Sequence, residues 1–84
     1  MPPEAEVRLR YLTTDEALPR LDSFLHDSFV AGMRRVSVIH GKGTGTLSLL
    51  VRRELKKHPL VKSFRPGGRG EGSQGVTIVE LADK

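Results

Sequence analysis

The sequence predicts a small α/β domain, a two-layer sandwich in which two helices pack on a four-stranded mixed sheet. Two observations support this fold class. Four segments show the alternation or the β-branched runs typical of strands, and two segments repeat apolar residues at helical spacing. The segments follow one another in the order β-α-β-α-β-β, so helices connect the first strands and the last two strands can form an antiparallel hairpin.

Composition limits the possible functions. The chain has 84 residues, enough for one core but not for two, and 14 Lys and Arg against 10 Asp and Glu give a formal charge of +4, which favours a polyanionic partner. The absence of cysteine excludes disulfides and thiolate metal sites. Because no apolar run opens the chain, we expect neither a signal peptide nor a membrane span, and the cytosol as the compartment.

The first predicted strand covers residues 7–11, where Val7, Leu9 and Tyr11 alternate with Arg8 and Arg10. Residues 1–6 contain two prolines and no periodicity, and we interpret them as a leader or linker. The domain is therefore expected to span residues 7–81, followed by a tail at residues 82–84.

The first predicted helix begins at a capping box formed by Thr13 and Glu16, and Gly32 supplies a left-handed end. Pro19 lies inside this helix and removes one amide donor, which predicts a kink or a delayed start. The residues that share one face at helical spacing are Ala17, Leu18, Leu21, Phe24, Leu25, Ser28 and Phe29.

Two glycine-rich loops interrupt the second half of the chain. Residues 36–40 form a predicted buried strand that ends at Gly41-Lys42-Gly43-Thr44-Gly45, the signature loop, and a second helix then continues until Pro59 stops it. Residues 60–65 and 76–81 are the last two predicted strands. The glycine-dense stretch between them is not expected to be rigid unless a ligand binds it.

These segments resemble a known family. HGKGTG at residues 40–45, placed between a strand and a helix, is the hallmark loop of Small MutS-related (Smr) domains. LKKHPLVKSFRPG at residues 55–67 and GEGSQGVTIVEL at residues 70–81 extend the resemblance along nearly the whole chain. Together they are more similar to the Smr domain at the C-terminus of MutS2 proteins than to stand-alone Smr proteins.

The resemblance implies a fold like the C-terminal domain of translation initiation factor three. For many family members it also implies an endonuclease that nicks branched or duplex DNA, possibly with Mn²⁺ or Mg²⁺, in DNA repair and suppression of recombination. A MutS2 parent would carry a MutS-like ATPase upstream. The sequence itself contains no Walker phosphate-binding motif, so no ATP site is expected in it.

One family motif is altered. The first strand of the family reads Leu-Asp-Leu-His/Arg-Gly, whereas this chain has Val7-Arg8-Leu9-Arg10-Tyr11. Arg8 thus replaces the acid that would be the most plausible metal or water ligand, and Tyr11 replaces the glycine. This departure puts the usual nicking mechanism in doubt unless another carboxylate serves.

His40 and Arg10 are the candidate catalytic residues. His40 lies where a strand opens into a glycine loop, the edge at which α/β folds bind ligands. It is either a general acid or base, or a histidine that hydrogen-bonds and fixes its own loop, and the resemblance favours the catalytic role. Arg10 would neutralise charge on the phosphodiester.

The signature loop is the candidate phosphate site. Gly41, Gly43 and Gly45 let the backbone approach a phosphate closely, while Lys42 and Thr44 add a charge and a hydroxyl. A G-x-G-x-G run alone is more often a plain turn, but its position between a strand and a helix favours phosphate binding.

Further candidate contacts with nucleic acid are Arg8, Arg10, Tyr11 and Arg69. We expect Arg8 and Arg10 to be exposed together on one strand face, where they either contact phosphates or discourage strand pairing at a sheet edge. Tyr11 is the aromatic residue suited to base stacking, because the phenylalanines are expected in the core. Arg69 lies in the glycine-dense stretch.

The remaining charged residues are expected mainly on solvated surfaces. The second helix has a basic surface that is more often solvated than bound, formed by Arg52, Arg53, Lys56 and Lys57. The acids that could hold a divalent cation in place of the missing one are Asp15, Glu16 and Glu71, although helix capping and a loop charge are their more usual roles. No residue-level metal site is predicted.

Two functions follow from these patterns. The first is a sequence-independent endonuclease that nicks DNA at the signature loop. The second is a non-catalytic module that grips DNA or ribosomal RNA while the ATPase of the parent chain does the work. The resemblance favours the first, and the missing acid favours the second.

Overall fold

The computed structural model describes residues 2–43 and 45–84, and its elements follow the predicted order. A single turn of 3₁₀ helix at Ser73–Gly75 precedes the last strand. The strands and helices are β1 (Ala5–Arg8), α1 (Thr14–Val30), β2 (Arg35–Ile39), α2 (Thr46–Lys57), β3 (Val61–Pro66) and β4 (Val76–Leu81).

The four strands form one mixed sheet in the order β1-β2-β4-β3. β1 is parallel to β2, while β4 is antiparallel to both β2 and β3. The parallel pair needs the α1 crossover, and the hairpin from β3 places β4 in the middle of the sheet. The predicted α/β sandwich of two helices on a four-stranded mixed sheet is confirmed.

The core lies between the helices and one face of the sheet. Of the predicted face of α1, Ala17, Leu21, Leu25 and Ser28 are buried, whereas the remaining members are partly buried. Each fully buried aliphatic side chain contributes about 1.5–3 kcal/mol to folding. The hydrophobic residues that complete this core are Val7, Leu9, Val36, Val38, Val51, Leu55, Val79 and Leu81.

Both ends of α1 are capped as the sequence predicts. The Glu16 amide donates to the Thr13 hydroxyl at 3.2 Å, and the Thr13 amide donates to the Glu16 carboxylate at 3.0 Å. At the other end Gly32 has φ +79°, and the Met33 amide reaches back to the Ser28 carbonyl at 3.0 Å. The helix starts at Thr14 and includes Pro19, so its start is not delayed.

The first strand is shifted from its predicted position. β1 begins at Ala5, inside the predicted leader, and ends at Arg8. The Leu9 amide still bonds to the Ile39 carbonyl at 2.7 Å, but Arg10 and Tyr11 form a turn closed by the Leu12 amide on the Leu9 carbonyl at 3.1 Å. The prediction of Tyr11 as an inward strand residue is therefore wrong: it is 88% exposed.

The glycine-dense stretch at residues 67–75, named here the clasp loop, is tied down by Glu71. Its carboxylate accepts from both terminal nitrogens of Arg65, at 2.8 and 3.0 Å, and from the Gly68 amide at 2.8 Å. Backbone bonds from Gly67 to the Val76 carbonyl and from Ser73 to the Gly68 carbonyl add to this. The loop is thus ordered by its own residues, without the ligand that the sequence suggested it needed.

Over the described residues, neither helix is both long and apolar enough to cross a membrane.

Candidate nucleic-acid interface

A cleft of about 860 Å³ opens where the C-terminal end of β2 meets the N-terminus of α2. The turn after β1 forms one wall, the signature loop and the first turn of α2 form another, and the end of the clasp loop closes it. The predicted site residues that line this cleft are Arg10, Tyr11, His40, Gly41, Lys42, Gly43 and Gly45.

The backbone of the signature loop depends on glycine. Gly41 and Gly45 have φ of +80° and +86°, and Gly43 has φ +26°. The amides of Lys42, Gly43 and Gly45 form no hydrogen bond with any described residue. Since exposed amides and a helix N-terminus stabilise an anion, this loop offers donors to a phosphate.

The cleft is electropositive. Arg10 and Lys42 are exposed and form no ion pair within the described part of the chain. No aspartate or glutamate is among the described residues that line the cleft. Two positive charges therefore act on the cleft without a nearby carboxylate to offset them, which attracts a polyanion.

His40 is almost completely buried beneath the signature loop, at 5% exposure. Its Nδ1 lies 2.9 Å from the Gly41 carbonyl and its Nε2 lies 2.9 Å from the Thr77 hydroxyl. Because a carbonyl only accepts, Nδ1 carries the hydrogen, and in the neutral ring Nε2 accepts from Thr77. Both ring nitrogens are thus engaged within the fold.

The start of the signature loop is also joined to the clasp loop through the backbone. The amides of His40 and Gly41 both donate to the Gly75 carbonyl, at 3.1 and 2.9 Å. A Cβ on Gly75 would lie 3.6 Å from the Gly41 backbone, so the two loops are in close contact. His40, Thr77 and Gly75 together fix where the signature loop leaves β2.

Tyr11 has an unusual backbone conformation. Its φ is +71°, the left-handed region that glycine adopts without strain. This is the position at which the family motif carries glycine, so the fold keeps the conformation although the residue has changed. The Arg10 guanidinium lies over the Tyr11 ring, 4.9 Å from its centroid.

Two predicted contacts lie away from the cleft, and one lies outside the described residues. Arg8 is exposed on β1, 3.9 Å from the Glu6 carboxylate, and Arg69 is exposed in the clasp loop. Arg8 and Arg10 do not share a strand face, because Arg10 lies in the turn. Thr44 is outside the described residues.

The basic surface of α2 is partly internally paired. Arg52 donates to the Ser48 hydroxyl at 2.8 Å, and Lys57 lies 3.3 Å from the Glu54 carboxylate. Arg53 is exposed, as is Lys56, and neither forms an ion pair with a described residue.

The candidate acids are engaged in structural contacts. Two hydrogen bonds from Thr13 lower the pKa of Glu16 below its usual range. The hydrogen bond from Arg65, aided by the Gly68 amide, lowers the pKa of Glu71 to about 2. Asp15 is exposed in the first turn of α1. Among the described residues no three His, Cys, Asp or Glu side chains cluster to hold a metal ion.

The sequence reasoning missed Thr77. It faces the core side of β4, opposite Val38 in the register, and is 2% exposed. A signal was present: in the strand VTIVEL, a threonine occupies one of the positions that alternate with the core residues Val79 and Leu81. A polar residue at a core position needs a hydrogen-bond partner, and that partner is His40.

The fold and the cleft match those of known proteins. The Smr domain family matches residues 7–82. The chain is 52% identical to Endonuclease MutS2 of Caldicellulosiruptor saccharolyticus over 95% of its length, and 54% identical to Endonuclease MutS2 of Geobacillus kaustophilus over 90%. It spans only 10% of either relative.

Two solved structures share this fold. The crystal structure of the Smr domain of Thermus thermophilus MutS2 superposes with a TM-score of 0.90 at 41% identity, covering 93% of this chain and 98% of that one. YdaL of Escherichia coli, a stand-alone small MutS-related protein, superposes with a TM-score of 0.91 at 24% identity, over 99% of this chain and 69% of that one, which shows the fold alone.

Proposed function

Because the chain belongs to the Smr domain family, we propose that it acts on nucleic acid by holding backbone phosphates in the cleft without reading base sequence. The observation that supports this most directly is the combination of unpaired amides in the signature loop with Arg10 and Lys42, in a cleft whose described lining contains no acid. Phosphate contacts of this kind give affinity but no sequence selectivity.

We further propose that the domain nicks DNA at this cleft, as part of a MutS2-like protein of the cytosol. The relatives that it resembles are named endonucleases. Cleavage of a phosphodiester by water forms one P–O bond and breaks another, and negative charge builds up on the phosphate oxygens in between. Arg10 and Lys42 are placed to neutralise that charge.

His40 is assigned a positioning role in this proposal. Its ring would have to give up the bond to Gly41 or to Thr77 before it could exchange a proton with water or substrate. Its two bonds support a function as the anchor that presents the amides of the signature loop. The prediction that His40 is a general acid or base stays a prediction, and the His40 variant discussed below tests it.

The second candidate function is a binding module for DNA or ribosomal RNA that serves the ATPase of its parent chain. Two observations favour it: Arg8 occupies the place of the family acid, and Glu16 and Glu71 are engaged in structural hydrogen bonds. The described residues do not fit a resident Mn²⁺ or Mg²⁺ site. The proposed charge neutralisation therefore relies on the side chains of the cleft.

A plasmid-nicking assay with the isolated domain separates the two candidates. Conversion of supercoiled plasmid to the open circle is measured with Mn²⁺, with Mg²⁺ and with chelator, and binding of a labelled duplex is measured in parallel at several salt concentrations. Nicking with salt-sensitive binding supports the endonuclease, and salt-sensitive binding alone supports the module. A binding constant that does not respond to salt would refute phosphate contact.

A further inference from the structure

We propose that Tyr11 is a stacking platform for an unpaired nucleobase, so that the domain prefers nucleic acid in which a base is out of the duplex stack beside a bound phosphate. This inference rests on the proposed phosphate-binding function and adds a substrate class to it. The argument concerns the backbone at Tyr11, the surroundings of its ring and the chemistry of stacking.

The fold does not use the Tyr11 ring in its core. The turn that holds it is fixed by its neighbours: Leu9 is fully buried, and the Leu12 amide closes the turn on the Leu9 carbonyl. Tyr11 is therefore forced to φ +71°, where a non-glycine residue is strained, and 88% of its surface is exposed. A large aromatic residue that strains the backbone and packs on little contributes to something other than folding.

Arg10 holds the ring on the side of the signature loop. Its side chain passes so close to Gly41 that a Cβ there would lie 3.1 Å from the Arg10 Cγ, and its guanidinium then covers part of the Tyr11 ring. Ring, guanidinium and loop amides therefore line the same cleft. A nucleotide whose phosphate occupies the cleft has its base within the same region.

Stacking on Tyr11 selects the state of the base rather than its identity. Every base has a flat face that can stack on an aromatic ring, but in a duplex both faces are covered by neighbouring pairs. Only a base in a single strand, a gap, a branch or a flipped-out position can use the ring. Tyr11 thus favours flexible over continuous duplex substrates.

Matched substitutions separate the ring from the backbone. Tyr11→Asn removes the ring but tolerates the left-handed conformation, and Tyr11→Phe keeps the ring. We expect Tyr11→Asn to melt at the same temperature as the parent or higher, because no core contact is lost. A lower melting temperature would mean that the ring packs on the fold and would overturn the proposal.

Binding is measured by fluorescence anisotropy with two labelled probes, a continuous duplex and the same duplex with a short gap in one strand. The parent and Tyr11→Phe should prefer the gapped probe, and Tyr11→Asn should lose about fivefold or more of its affinity for that probe, as expected for one lost stacked base. A 2-aminopurine in the gap should be quenched by the parent and by Tyr11→Phe, but less by Tyr11→Asn.

The outcomes distinguish this inference from the function on which it rests. Equal affinity of the parent for both probes, or an unchanged preference in Tyr11→Asn, refutes the stacking platform while leaving phosphate binding intact. Failure of the parent to bind either probe at low salt refutes the proposed function itself.

Discussion

The signature loop and the clasp loop are both rich in glycine, yet they differ in what their polar groups bind. In the clasp loop, the Gly68 amide and the two terminal nitrogens of Arg65 are satisfied by Glu71, and the Gly67 amide by Val76. In the signature loop, the amides of Lys42, Gly43 and Gly45 have no partner among the described residues. Glycine content therefore does not by itself identify a ligand site.

The glycines of the two loops also serve different purposes. A Cβ on Gly72 would lie 2.2 Å from a methyl group of Val76, so this glycine is needed for close packing. A Cβ on Gly43 would meet nothing within 4 Å, so the space around it is open. The clasp loop supports the structure, whereas the signature loop is supported by it through the Gly75 carbonyl.

The largest expected effect is on stability, from Gly72→Ala. The new methyl group overlaps Val76, and the φ of +96° is strained for alanine, so we expect a loss of about 2–4 kcal/mol. Gly43→Ala is the matched control: its φ is +26° and its surroundings are open, so it should cost about 1 kcal/mol or less. Thermal melting of both variants measures the contrast, and equal losses would break the distinction between the loops.

His40→Ala tests whether the support reaches the signature loop. It leaves the buried Thr77 hydroxyl without its partner, which costs about 1–3 kcal/mol. If His40 is an anchor, affinity for DNA and any nicking should fall together, because the amides are no longer presented. If it is a general acid or base, nicking alone should be lost.

Thr77→Val is the companion variant for His40. It removes the hydroxyl that bonds Nε2 but changes no residue that lines the cleft. The anchor role predicts that Thr77→Val lowers the melting temperature and weakens binding in the same direction as His40→Ala. Binding equal to that of the parent would show that the Thr77 bond does not position the loop.

Much of the fold follows from local sequence signals. The capping box at Thr13, the left-handed end at Gly32 and the bounds of β4 agree with the prediction, because each depends on residues adjacent in the chain. The first strand was misplaced because alternation continues through Arg10 and Tyr11, while pairing with β2 stops at Arg8. Where pairing stops is decided by the partner strand.

The candidate site was predictable where it is local and not where it is tertiary. The glycines of the signature loop and Lys42 stand together in the sequence. The bonds from His40 to Thr77 and from Glu71 to Arg65 link side chains whose pairing depends on the folded sheet and on the path of the clasp loop. The expectation of a loosely held clasp loop failed because composition does not show which carboxylate will collect its donors.

Lys42→Ala sharpens the comparison through binding. We expect weaker binding to all sequences alike, with the slope of log affinity against log salt reduced by about 1. Lys62→Ala is the charge-matched control, because Lys62 is exposed on β3 and does not line the cleft. Arg69→Ala then decides whether the clasp loop also contacts phosphate. A salt slope that changes equally in Lys42→Ala and Lys62→Ala would mean that only net charge matters.

The smallest expected effect concerns the pH dependence of the clasp. The pKa of Glu71 falls from 4.5 to about 2 in the fold, chiefly through its hydrogen bond with Arg65, so the carboxylate stabilises the folded state fully above pH 4.5. That stability is lost as the pH falls through about 2. Glu71→Gln should therefore melt below the parent at pH 7, and the difference should shrink as the pH is lowered across this range. Other carboxylates titrate in both proteins and cancel in the difference. A gap between the two melting curves that is constant with pH would show that the clasp depends on shape and hydrogen bonding rather than on the charge of Glu71.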